Sequence, residues 1–572
     1  MALASRPWSL DSFKLLQIGR KGQILAIIGT PPAGETALPG EGAAYTFESG
    51  NCCGQGHLSS HSKSSKWPKM KLHDLLAHHG MSANPFADED AQTDPVFQGR
   101  CRTSTFHPNW DKVYGDPSAP ATSIVFGEKG AGKTALRMQI AAQIEEHNQE
   151  HDSGRLFVVE YDDFNPFLDR FADRLSSRKR RNPTKVLSEW KMWDHMDAIL
   201  SLGVTSVVDR LLGTRQPSGS PANQLPVDAV KRLDRFQKRD LLLLAACYDN
   251  SLTESFQSRW YRLRRRLKYR PWQSWAIRGI GVLTQAAVLG GIGYTRNYSL
   301  LWTSVWPWLI MALGWAPWMA QVWRWWMQAY GVSRNLRCVN RDVHPLRQVF
   351  MQFSAADING QPLPNKRRTD DRYELLYKFQ GLLEALGFSG IVVLVDRVDE
   401  PHLIDGSLEN MRGLVWSMLD NKFLKQPGLG LKLLLPIELS GFVQQENRDF
   451  LQRARLDKQN MIPSLEWTGQ SLYDLADARV AACGAANSDG ESTPHLRDLF
   501  DPNVSDTRLV DAFATLRVPR HLFKFLYRVL VAHCQAHIGS QPSWKVDAGT
   551  FEAQLALYRR DQESTEQGLI PQ

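Results

Sequence analysis

Residues 127–134 read GEKGAGKT, and no other stretch restricts the fold as tightly. Glycines at Gly127, Gly130 and Gly132 remove the side chains that would keep a backbone from wrapping closely around an anion. Such a loop works only between a strand that fixes its start and a helix whose N-terminal amides and dipole favour negative charge. Both neighbours are legible. The apolar run 121–126 predicts a strand, and 133–147 predicts a helix with Leu136, Ile140 and Ile144 on one face. The spacing G-x-x-x-x-G-K-T matches the phosphate-loop pattern at every fixed position. It predicts that Gly127, Glu128, Lys129, Gly130, Ala131, Gly132, Lys133 and Thr134 line a phosphate site. Lys133 would reach the β- and γ-phosphates and Thr134 would ligate Mg²⁺.

Such a site needs an acid at the end of a neighbouring strand to hold the Mg²⁺. IVVLVD (391–396) supplies it. Five consecutive apolar residues predict a strand buried on both faces, and Asp396 falls at its C-terminal end, the edge where open α/β sheets bind ligands. Further apolar runs at 155–164 and 431–436 alternate with helical patterns such as 370–388. Together they predict an α/β fold with a parallel sheet and helices on both faces.

Between the two motifs the chain changes character. Residues 259–270 hold seven basic residues and no acid, 279–295 and 297–323 carry no charge, and arginines return at Arg324, Arg334, Arg337 and Arg341. Eleven of the 19 tryptophans lie within 260–326. A spanning helix needs about 20 mostly apolar residues, so the two runs predict a transmembrane helical hairpin with Arg296 at its far turn. Tryptophan favours the lipid interface, and the flanking arginines give the charge bias of a hairpin with both ends cytosolic. That places the lipid bilayer among the partners and the remainder of the chain on the cytosolic side of the cytoplasmic membrane. The basic cluster also fits nucleic acid, but its position beside an apolar block favours anionic lipid.

The rest is less informative. Net charge is +8, with 43% hydrophobic and 22% charged residues, the composition of a folded protein. Seven cysteines show no metal-binding spacing and are expected to be reduced thiols. Residues 1–80 lack periodicity and are expected to be a disordered extension. Met70 and Met81 precede more regular sequence, so the extension is a candidate for a mis-assigned start. The expected organisation is 100–255 and 346–460 as two parts of one nucleotide domain, 256–345 as the hairpin insert, and 461–572 as a C-terminal helical lid.

The spacing Asp396-x-x-Asp399-Glu400 resembles the second motif of the STAND class of P-loop ATPases. The insertion of an apolar hairpin between the two motifs resembles the layout of the KAP family. The resemblance implies a P-loop NTPase that binds ATP with Mg²⁺, with Asp396 as the metal acid and Asp399 or Glu400 polarising the attacking water. It implies slow hydrolysis used as a conformational switch in signalling, assembly or defence, with homo-oligomers or other proteins as partners. RVPRHLFKFL (517–526) resembles the lid element in which an arginine contacts the γ-phosphate, here Arg520. Glu438, after the strand 431–436, is the sensor candidate, and Arg367 and Arg368 are candidates for an arginine finger. The chain departs from these families at Arg397, where STAND proteins have a small residue and KAP proteins a second acid. That departure leaves an inactive nucleotide-binding scaffold open, and the basic surface with the C-terminal helical domain leaves open a soluble, origin-recognition-like DNA-binding ATPase. ATP over GTP rests on the resemblance and on the lack of an NKxD motif.

Overall fold

A computed structural model describes residues 69–566, except 104, 215–216, 252, 271–272, 297, 447–449, 451–453, 457–458, 485–492 and 540. Its centre is one five-stranded sheet of β1 (Ser123–Gly127), β2 (Arg155–Tyr161), β3 (Phe388–Val395), β4 (Leu429–Pro436) and β5 (Asn460–Ile462). The spatial order is β2-β3-β4-β1-β5, and every pairing is parallel. Around the sheet the chain places α1 (Leu72–His78), α2 (Lys133–Glu150), α3 (Met192–Leu212), α4 (Arg235–Tyr248), α5 (Gln273–Thr295), α6 (Trp306–Asn335), α7 (Asp370–Ala385), α8 (Gly469–Ala482), α9 (Asp506–Ala514), α10 (Pro519–Ala536) and α11 (Ala548–Glu566), with shorter helices between them. The protein is therefore α/β with an all-parallel sheet, as the alternation of strands and helices predicts.

The strands are apolar at nearly every position because both faces are covered. Val125, Val158, Val392 and Leu394 face α2 through Leu136, Ile140 and Ile144. Their neighbours Phe126, Phe157, Val393 and Leu433 join the opposite core with Leu200 and Val204 of α3 and Phe379 and Leu383 of α7. This alternation is the period-2 geometry of a strand. Lys432 is the exception, buried within β4. Its ammonium donates to the carbonyls of Val113 (2.6 Å), Tyr114 (3.0 Å) and Ala121 (2.9 Å), and burial lowers it to about 8.

The whole stretch 162–387 lies in the single crossover from β2 to β3. Much of it is core and not appendage. Three buried ion pairs knit it together: Arg337 with Asp194 (2.5 Å), Arg372 with Asp197 (3.1 Å), and Arg259 with Asp249 and Asp209 (2.8 Å each). This corrects the charge argument made from sequence. Arg259, Arg337 and Arg341 are buried. They neutralise interior carboxylates or bond backbone carbonyls, and so are withdrawn from any lipid surface. Arg265, Arg266, Lys268, Arg270, Arg324 and Arg334 remain exposed.

The two uncharged runs form a helical hairpin. α5 and α6 pack closely enough that a Cβ on Gly281 would meet Trp315 at 2.8 Å, and one on Gly314 would meet Thr284 at 2.0 Å. The transmembrane expectation needs correction: among the described residues no helix is long and apolar enough to cross a membrane. One physical reason is composition, since Gly, Thr, Gln and Trp dilute the aliphatic content. The other is that 297–323 is not one helix. A short helix, Leu300–Thr303, ends before Ser304, and α6 begins at Trp306.

The extension is also shorter than expected. Residues 69–80, read as disordered, hold α1, whose Leu75 and Leu76 are buried with Phe513, Phe525 and Val529 of the C-terminal helices. Lys69 bridges Ile538 and Met81 bridges Gly484. The remainder of that reading, residues 1–68 with Cys52 and Cys53, lies outside the described residues. The other five cysteines are free and buried.

His195, fully buried on α3, gives the fold a pH signature. A carbonyl only accepts, so Nε2 carries the proton toward Leu414 O (3.0 Å), and Nδ1 faces the Tyr161 hydroxyl (3.1 Å). Burial lowers this imidazole from 6.5 to about 4. The unfolded chain therefore takes up the proton first. Stability from this group is complete above pH 6.5 and is lost as pH falls through 4, at about 1.4 kcal/mol per pH unit. Asp194 works in the opposite direction, because burial raises its carboxyl to about 6. The comparison that isolates His195 is with His195→Gln. Urea midpoints should show the advantage of the native protein over the variant shrinking by about 2 kcal/mol from about pH 6.5 to pH 5. A constant difference across that range would remove His195 as the cause.

Candidate phosphate-binding site

Gly127 ends β1 and its carbonyl accepts from the Ile437 amide at 3.1 Å, which ties the loop to the end of β4. The loop then turns through Gly130 (φ 89°) and Gly132 (φ 95°). Both angles lie in the left-handed region that glycine adopts without a Cβ penalty. Gly130 has a second reason to be glycine: a Cβ there would lie 2.7 Å from that of Arg520. α2 starts at Lys133, so its first free amides face the loop interior. Trp467, just before α8, donates from Nε1 to Ala131 O at 2.9 Å and stacks edge-on against His107.

Lys133 folds back on its own loop, donating to Gly127 O (2.8 Å) and Glu128 O (3.0 Å). Burial lowers its pKa, while Asp399, Asp396 and Glu438 act to raise it. Thr134 Oγ1 donates to Asp396 Oδ2 at 2.9 Å across 262 positions of sequence. The two residues predicted as metal ligands are thus brought together. Asp396 is 2% exposed. Burial raises its pKa, and Arg137, Thr134 and the Arg397 backbone oppose the rise. A hydroxyl beside a buried carboxylate is a hard-oxygen donor pair that suits Mg²⁺.

Arg137 was not singled out from sequence. It lies one turn beyond Thr134 on α2, with Nε 3.5 Å from Asp396 and NH1 at 2.6 Å from Asp162 and 3.4 Å from Glu160. It supplies the positive charge that a buried carboxylate needs. Its spacing from Thr134 was the available signal.

Asp399 and Glu400 lie exposed on the rim of the same cleft. Glu400 pairs with Arg397 at 3.3 Å. Its pKa is raised, by burial first and then by Asp399 and Asp396 against Arg397. Arg397 has φ 58° and donates to Gln92 Oε1 at 2.7 Å. The left-handed backbone explains why a small residue suits this position, and Arg397 fills it by reaching away to the N-terminal segment. Arg520, second residue of α10, lies against Gly130, its amide 3.4 Å from Gly130 O and its Nε 4.0 Å from Glu89. Arg367 and Arg368 do not line the cleft, and Arg368 pairs with Asp371 at 2.7 Å.

The cleft holds about 220 Å³ between the loop, the end of β3 and the C-terminal helices. One wall comes from a stretch that the sequence left outside the site: Glu89, Asp90, Asp94, Phe97, Thr105 and His107. No spacing motif marks these residues. They reach the loop because the segment before β1 packs against α8 and α10. Comparison of the chain with protein-family models, curated proteins and solved structures finds no match.

Proposed function

We propose that this chain is a P-loop ATPase that binds Mg-ATP in the loop cleft and uses binding and slow hydrolysis as a conformational switch at a membrane surface. The observation that carries the reading is the convergence on one cleft of Lys133, the Thr134–Asp396 pair and Arg520. They come from positions 133–134, 396 and 520, far apart along the chain.

In this reading the loop amides and the α2 N-terminus receive the phosphates. Lys133 exchanges its two loop carbonyls for β- and γ-phosphate oxygens. Thr134 and Asp396 hold Mg²⁺, which neutralises phosphate charge. Asp399 or Glu400 orients the attacking water. Glu400 must first be released from Arg397, its partner at 3.3 Å. Arg520 senses the γ-phosphate, and since its backbone already touches Gly130, a shift of the loop moves α10 and the helical lid with it.

Membrane attachment rests on the hairpin. Trp302 is 92% exposed, Leu313 74%, Trp306 71% and Leu283 69%. An apolar surface of this kind marks an interaction site, and exposed indoles beside arginines suit the lipid interface. The hairpin is read as embedding in the interface and not as spanning the bilayer.

Two measurements test the reading. Isothermal titration of the full chain should give saturable binding of ATP that strengthens with Mg²⁺, and no binding at millimolar ATP would overturn it. Flotation with anionic vesicles should carry the full chain upward even in high salt, while a chain lacking residues 278–323 stays at the bottom. Equal behaviour of the two chains would remove the hairpin as the anchor.

A further inference from the structure

We propose that the helical unit around α10 and α11 carries a divalent transition-metal site, built from His533, His537 and Asp547 and suited to Zn²⁺. It lies at the end of α10 remote from Arg520 and shares no residue with the phosphate cleft. His533 sits in the last turn of α10 and His537 directly follows the helix in extended backbone, with the two imidazole rings 4.4 Å apart between centroids. Asp547 enters from the residue before α11. One ligand atom from each of the three lies within 4.8 Å of the others.

The hydrogen bonds fix which nitrogens are free. His533 Nε2 faces Ser543 O at 2.8 Å, and His537 Nδ1 faces His533 O at 2.9 Å. A carbonyl accepts and never donates, so each of these nitrogens carries the proton. The other nitrogen of each ring is the one left to bind a metal ion, and presents a lone pair when the ring is neutral. Imidazoles oriented through a backbone carbonyl are the usual second shell of a zinc ligand. Asp547 is held likewise, its two oxygens accepting from the Thr550 amide and hydroxyl at 2.8 Å each.

One atom of the site lacks a partner. His533 is fully buried, and its Nδ1 makes no hydrogen bond. It faces Asp547 Oδ1 at 3.7 Å. That is too long for a hydrogen bond, and in the neutral ring, with Nε2 protonated, it sets one lone pair opposite another. A cation between them resolves the conflict. Around tetrahedral Zn²⁺ with bonds of about 2.0 Å, neighbouring ligand atoms stand about 3.3 Å apart, so the 3.7 Å between His533 Nδ1 and Asp547 Oδ1 would close slightly on the ion. The carboxylate is 51% exposed, which gives the ion a route in and leaves the fourth position to water. The bound ion would join α10 to α11. Because the His537 carbonyl accepts from the Met70 amide at 3.1 Å, it would also brace the docked N-terminal strap.

The test uses the full chain without an affinity tag, free of nucleotide and in excess Mg²⁺. Titration with Co²⁺ should produce the d–d bands of a four-coordinate ion at one equivalent, with no thiolate charge-transfer band, and Zn²⁺ should displace it. Asp547→Asn keeps the helix cap, and His537→Gln alters a partly exposed residue, so both should fold by circular dichroism. Each should weaken Co²⁺ binding at least about tenfold. Absence of the bands, a thiolate band, or variants that bind as the native chain does would each overturn the proposal.

Discussion

Replacing Lys133 with alanine is expected to reduce Mg-ATP affinity by at least about 100-fold, or about 2.8 kcal/mol. In the proposed reading the ammonium meets the β- and γ-phosphates, and hydrogen bonds to charged groups contribute about 1.5–3 kcal/mol each. Its loss leaves the phosphates facing Asp396, Asp399 and Glu438, the acids that act on Lys133 now, so the remaining field is repulsive. The fold should tolerate the change. Among the described residues Lys133 donates to Gly127 O and Glu128 O alone, both within its own loop, and removal should move the urea midpoint by no more than about 1 kcal/mol. Calorimetric titration and urea denaturation of the same preparation separate the two effects. Affinity within threefold of the native chain would refute the assignment of the loop. Affinity lost together with the fold would show that the lysine acts through structure.

The second large effect lies in the crossover. Asp197→Ala is expected to destabilise the protein by about 3–5 kcal/mol, because it leaves a buried guanidinium uncompensated. Arg372 and Asp197 are both 0% exposed. Asp197 also accepts from the Tyr248 hydroxyl at 2.7 Å, so one carboxylate joins α3, α4 and α7. Asp197→Leu combined with Arg372→Met removes both charges at similar volume and should recover most of the loss. Urea midpoints of the single and double variants decide the matter. A single variant within about 1 kcal/mol of native, or a double variant no better than the single, would rule out the ion pair as the cause.

What could be read from sequence follows from how local each signal is. The loop glycines, the β1 and β3 runs and the placement of Asp396 are short-range patterns, and the structure brings Thr134 and Asp396 within hydrogen-bond distance as the motif spacing predicts. β5, three residues long, has no run to reveal it. Glu89, Phe97 and His107 reach the cleft by tertiary packing, which no local pattern encodes. The hairpin misled in an instructive way. Absence of charge over 279–295 and 297–323 predicts a bilayer span, yet tryptophan and glycine fill uncharged positions without the aliphatic content a span requires. The flanking arginines misled similarly, since Arg259 and Arg337 spend their charge on interior carboxylates.

The strand order has a consequence for how the chain is made. Among the described residues β1 pairs with β4 and β5 alone, which leave the ribosome some 300 residues later. At about 5–20 residues per second, β1 waits roughly 15–60 s with both edges unsatisfied. During that wait the tryptophan-rich hairpin has already emerged. A nascent chain in this state is a natural client for holding chaperones, and contact of the hairpin with lipid during translation would let the sheet close only after the chain has been tethered.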